Sequence, residues 1–68
     1  MMNIYRLIED GQDSLIRAKT MPLAVEICLI AYLYEVKQKD TEFNEREETK
    51  HYHSSILESC ECLGELKN

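Results

Sequence analysis

From Met2 to Lys19 the apolar residues Ile4, Ile8, Leu15 and Ala18, with Gly11 between them, recur at steps of four, three, four and three. That rhythm describes one face of a helix. Leu7 and Ile16 widen the stripe, while Glu9, Asp10, Gln12, Asp13 and Arg17 fall mostly outside it. Asp10-Gly11 is alternatively a turn, with Asp13 capping a shorter helix. The reading adopted is one helix, with Gly11 on the seam, where its missing side chain admits another backbone. Glycine there costs about 1 kcal/mol against alanine.

Thr20-Met21-Pro22 follows. Proline lacks an amide proton and suits a helix start, and Thr20 is a better cap than Met21. The seam nevertheless continues in register through Val25, Leu29, Tyr32 and Val36. Either two helices meet at a corner or residues 2–38 form one helix kinked at Pro22; the corner is preferred, with helices over about 2–19 and 22–38. Twelve of the fourteen residues from Leu23 to Val36 are apolar, and the exceptions, Glu26 and Glu35, point to opposite sides. A strand over Ile27–Val36 is the competing choice, but fourteen residues without a turn signal favour helix. A helix apolar all round must be covered all round.

Lys37–Phe43 reads as a polar connection. Asn44 is an N-cap with Glu47 three residues on, and Glu45, Glu47 and Glu48 suit the positive end of a helix. Phe43, just before the cap, can staple against the aliphatic stem of Glu48. The last helix is expected over about 45–66, its apolar row being Tyr52, Ile56, Cys60 and Leu63 beside Leu57, with Gly64 available to end it. The expected fold is therefore all-α: two or three helices, as a hairpin or small bundle, in one small domain over 1–68.

Sixty-eight residues hide only about 60% of their unfolded-chain surface, so such chains usually add a disulfide, a metal or a partner. Cys28, Cys60 and Cys62 are an odd number without framework spacing, which disfavours a secreted disulfide scaffold. No signal peptide is read in Met1–Asp10, and no membrane span in Leu23–Val36, which is short and holds two glutamates. A cytoplasmic location is expected, and a partner protein or a homo-oligomer is the leading source of the missing stability.

Thirteen acids against eight bases set the formal charge at −5, which argues against direct nucleic-acid binding. His51, His53, Cys60 and Cys62 suggest zinc, but on a helix residues two apart diverge by about 200°. His53 and Cys60 share a helical face yet stand roughly 10.5 Å apart along the axis, too far for one ion. Cys28 sits among apolar residues and nothing basic surrounds Cys60 or Cys62, so no catalytic thiol is expected. With no phosphate loop or nucleophile motif either, no enzyme and no cofactor are expected. The run Asp40, Glu42, Glu45, Glu47, Glu48 is read first as a solvated loop and a dipole-matched helix start, and Arg46 and Lys50 interrupt it. Of the tyrosines, Tyr32 lies on the seam and Tyr34 off it, where an amphipathic ring suits either an interface or the core.

Leu57-Glu58-Ser59 and Gly64-Glu65-Leu66-Lys67, with the length, acidity and C-terminal amphipathic pattern, give the chain a resemblance to the small co-chaperones of type III secretion needle subunits. The resemblance covers about a third of the chain. It implies a helical hairpin that binds a tetratricopeptide-like chaperone, from which Pro22 and the apolar Leu23–Val36 depart.

The function expected is a small acidic non-catalytic adaptor, chaperone or inhibitor that docks apolar helix faces on a partner or on itself. Its partner-binding residues are Leu29, Ile30, Leu33, Tyr34, Ile56, Cys60 and Leu63. The rival class is an acidic nucleic-acid mimic that blocks a nucleic-acid-binding protein or nuclease.

Overall fold

The computed structural model describes residues 1–67. Its elements are strands β1 (Asn3–Glu9) and β2 (Gln12–Ala18), helix α1 (Met21–Lys39), helix α2 (Glu45–His51), a π-helical turn (Tyr52–Ile56) and strand β3 (Leu57–Glu65). The strands form one antiparallel sheet in the order β2-β1-β3. The fold is α+β, which corrects the all-α bundle expected from periodicity.

The first expected helix is a hairpin. Asp10 and Gly11 both have positive φ, 49° and 81°, and Glu9 pairs with Gln12 across them. Such a two-residue turn carries the right-handed twist that adjacent strands need. The apparent helical seam is divided between two sheet faces. Register places Ile4, Ile8 and Leu15 on one side and Ala18 on the other, with Tyr5, Leu7 and Ile16. Gly11 serves the turn and admits no neighbouring backbone; nothing lies within 4 Å of where its Cβ would be.

The chain turns a corner before α1. Thr20 is the N-cap, its Oγ1 accepting from the Leu23 amide at 3.3 Å, with Pro22 in the first turn. Asn44 caps α2 in the same way, its Oδ1 accepting from the Glu47 amide at 3.1 Å.

The helix expected over 45–66 stops at His51. The π-helical turn puts the Tyr52 ring into the core, and β3 then pairs with β1 from the far end of the chain. The backbone bonds Asp10 N–H to Ile56 O and Leu66 N–H to Met2 O, both 2.9 Å, fasten the two ends of that strand. Pairing from Asn3↔Glu65 to Glu9↔Leu57 skips Glu58 and Leu63, so β3 is bulged at both. Gly64 lies within this strand, at φ 133°.

The core is small. Tyr5, Leu7, Ala18, Ala24, Cys28 and Tyr52 are buried, and Ile16, Val25, Leu29, Tyr32, Ile56, Leu57 and Cys60 pack around them. The molecule measures 43 × 19 × 16 Å with a radius of gyration of 12.9 Å, against about 11 Å for a compact chain of this length. One sheet face and one side of α1 are consequently left without a layer.

Candidate functional site

Helix α1 lies on the sheet through Ala24 and Cys28, which are buried, and through Val25, Leu29, Tyr32 and Val36, which are half-buried. At 100° per residue, Leu23, Ile27, Ile30 and Tyr34 fall on the opposite side. All four are exposed, Ile30 at 59% and Tyr34 at 67% of their full surface. Their spacing of four, three, four is that of a helix–helix seam, about 17 Å long. Glu26 and Lys37 flank one side of this ridge and Ala31 the other.

The residues expected to bind a partner are thereby divided. Ile30 and Tyr34 stand on the ridge. Leu29, Ile56 and Cys60 pack against the core, Leu33 is half-buried, and Leu63 is exposed at a bulge of β3, on a different element. Leu23 and Ile27 join the exposed residues of α1 without a sequence signal, because a segment apolar all round does not show which side the sheet covers.

Between the hairpin and α1 runs an open groove of about 420 Å³. Ile16, Ile27, Cys28, Ala31 and Tyr32 line its apolar part, and Glu9, Asp10 and Glu35 its acidic end. Tyr32, in the groove wall, packs against the buried Tyr52. Their ring centroids are 5.3 Å apart at 44°. The Tyr32 hydroxyl donates to Glu48 Oε2 at 2.7 Å and the Tyr52 hydroxyl to Glu9 Oε2 at 2.5 Å. Burial, then the carboxylate that accepts each proton, pushes Tyr32 up to about 12 and Tyr52 further above its ordinary value. Both rings act as pins: Tyr32 ties α1 to α2, and Tyr52 ties the π-helical turn to β1.

The three thiols are free. Burial pushes Cys28 up to about 11 and raises Cys60 as well. On β3 the helical argument that separated Cys60 from Cys62 does not apply. Their partners Leu7 and Tyr5 put both on one face of the strand. Even so, among the described residues no three His, Cys, Asp or Glu side chains converge as metal ligands. The acids of 40–48 are spread over local tasks: Asp40 Oδ1 accepts from the Glu42 amide at 2.8 Å, Glu45, Glu47 and Glu48 open α2, and Glu48 is tied to Tyr32.

The stretches that carry the co-chaperone resemblance, Leu57-Glu58-Ser59 and Gly64-Glu65-Leu66-Lys67, lie along β3 and just beyond it, on no helix. No helix among the described residues is long and apolar enough to cross a membrane. Comparison with protein-family models, characterised proteins and solved structures returned no match.

Proposed function

We propose that the chain is a small acidic protein-binding module, non-catalytic, whose working surface is the outward ridge of α1. The observation that carries this reading is the exposure of Leu23, Ile30 and Tyr34 on the side of α1 away from the sheet, with Ile27 exposed at the edge between this ridge and the groove. A soluble monomer rarely leaves a contiguous apolar patch uncovered unless it has a use. The partner suited to it is an amphipathic helix that lays its own apolar stripe along the ridge and brings basic residues to the rim. The formal charge of −5 favours that sign, while Glu26 and Lys37 beside the ridge offset each other. Apolar burial at about 25 cal/mol per Å² provides the affinity, and the charges set orientation. Three free thiols fit a reducing, cytoplasmic setting.

Native mass measurement of the protein drawn from its own cell, beside its Ile30→Asp variant, is the test. The expected result is a stoichiometric partner, held with little dependence on salt and lost in Ile30→Asp by roughly 30-fold or more in affinity, as for a central interface anchor. A partner indifferent to Ile30→Asp, or one released by moderate salt and by charge reversal at Glu45, Glu47 and Glu48, would overturn the reading.

A further inference from the structure

The strand order leaves β2 and β3 as the two sheet edges, and they are built differently. An open edge is a template for another strand, and proteins blunt it with bulges, like charges, lysine or proline. β3 carries such devices: bulges at Glu58 and Leu63, Gly64, and glutamates at 58, 61 and 65. Paired on itself about its centre, it would set Glu61 against Glu61. β2 carries none. Its seven residues pair with β1 without a register shift, and it contains no lysine and no proline.

Glu9 and Gln12 close the two-residue turn, so the ladder to β1 alternates from there along Gln12, Ser14, Ile16 and Ala18. The amides and carbonyls of Asp13, Leu15 and Arg17 consequently point away from β1. Among the described residues no backbone bond from another element reaches them.

We propose that β2 is the pairing edge of a symmetric dimer, in which two copies join antiparallel about a two-fold axis at Leu15 to give one six-stranded sheet. In that register Leu15 meets Leu15 of the second copy, and Asp13 meets Arg17 at both ends. All three residues stand on the uncovered face, across from Arg6, Ile8 and Ile4 of β1. The charges are ready for this arrangement. Asp13 receives two of the three Arg6 side-chain bonds, 2.7 and 3.1 Å, on Oδ2, and none of the side-chain bonds among the described residues uses Oδ1. Arg17 makes no ion pair among the described residues, so its guanidinium is available for the open oxygen of the second copy's Asp13. Leu15, 66% exposed, gains the cover it lacks. The occupant is a second copy because the strand is complementary to itself: Asp13 and Arg17 are equidistant from Leu15 and opposite in sign. Isologous contacts of this kind close at two and do not grow into fibres. The inference is independent of the ridge on α1, and either can fail without the other.

Light scattering on a size-exclusion column, at micromolar to about 100 micromolar chain, tests it. The wild type is expected to run at twice the 8.0 kDa chain mass. Asp13→Arg and Arg17→Asp, each alone, oppose like charges at both ends and should weaken the dimer at least about tenfold. An equimolar mixture of the two single variants restores complementary charges and should recover a heterodimer. The double reversal within one chain should recover the homodimer. Recovery on mixing shows that the single variants are folded. A wild type that remains at 8.0 kDa throughout the range overturns the proposal. So does a dimer indifferent to the single reversals, a mixture that fails to pair, or a dimer abolished by Ile30→Asp alone.

Discussion

The Tyr52 hydroxyl and the Glu9 carboxylate, 43 positions apart in sequence, meet at 2.5 Å where the π-helical turn crosses the end of β1. Tyr52 is fully buried, and its ring also packs edge-on to His53 at 5.6 Å and against Tyr32. This bond adds a side-chain tie to the β1–β3 ladder that holds the last third of the chain on the hairpin. Tyr52→Phe keeps the ring and removes only the donor, leaving Glu9 half-buried without that partner. Hydrogen bonds to charged groups contribute about 1.5–3 kcal/mol, a large part of the ~3–5 kcal/mol a core of this size supplies. Urea denaturation should show a lower midpoint at similar slope. An unchanged midpoint would remove the bond from the account of stability.

Alkaline pH should unfold the protein. Cys28 ordinarily loses its proton near pH 9.0 and Tyr32 near 10.0, and burial moves them up to about 11 and about 12. Groups whose folded pKa is raised bind protons more tightly in the native state, so the unfolded chain releases them first. Their contribution is complete below about pH 9 and is lost progressively between about pH 9 and 12. Circular dichroism followed up the pH scale should fall across that window. In Tyr32→Phe the fall should be shallower, the remainder at its upper end coming from Tyr52, which is raised further.

Thiol reactivity should follow exposure. Cys62 is exposed, Cys60 half-buried and Cys28 buried on the sheet-facing side of α1. Thiolates attack and thiols do not, and burial suppresses the thiolate of Cys28 and Cys60. Iodoacetamide at neutral pH should label Cys62 first and Cys28 only on unfolding, as read by peptide mass. Early labelling of Cys28 would contradict its place between α1 and the sheet.

The hairpin turn isolates a backbone effect. At φ 81° an L side chain is strained, and no atom lies within 4 Å of the added Cβ. Gly11→Ala should therefore cost about 1–2 kcal/mol with no contribution from clash. Asp10→Gly, at φ 49°, should change stability by less than about 1 kcal/mol, since aspartate tolerates that region and glycine adds freedom to the unfolded chain. Equal effects in thermal unfolding would show that the turn is not of this type.

The starts of α1 and α2 were legible because their signals are local. Thr20 caps α1 ahead of Pro22, and Asn44 caps α2, through side chains three residues from the amides they bind. The strands were not, and the reason is arithmetic. A step of four residues turns about 40° on a helix and returns to the same face of a strand. Ile4 and Ile8, or Tyr52, Ile56 and Cys60, therefore fit either period. Asp10-Gly11 was the one local sign of a hairpin, and taking Gly11 as a seam residue discarded it. Reading Cys60 and Cys62 on a helix had the same root, since the geometry used to separate them belongs to a period the strand lacks.

By itself the sequence determined where α1 and α2 begin, that little core would be available, and that the middle helix would carry more apolar surface than its own chain could cover. Tertiary structure decided the rest. β1 becomes a central strand only because β2 and β3 reach it from both sides, the latter from the far end of the chain, and no local pattern encodes that pairing. The sheet then covers α1 on the side of Ala24 and Cys28, leaving Ile30 and Tyr34 to solvent. On an evenly apolar helix, what separates inside from outside is the position of the neighbouring layer, which long-range contacts set.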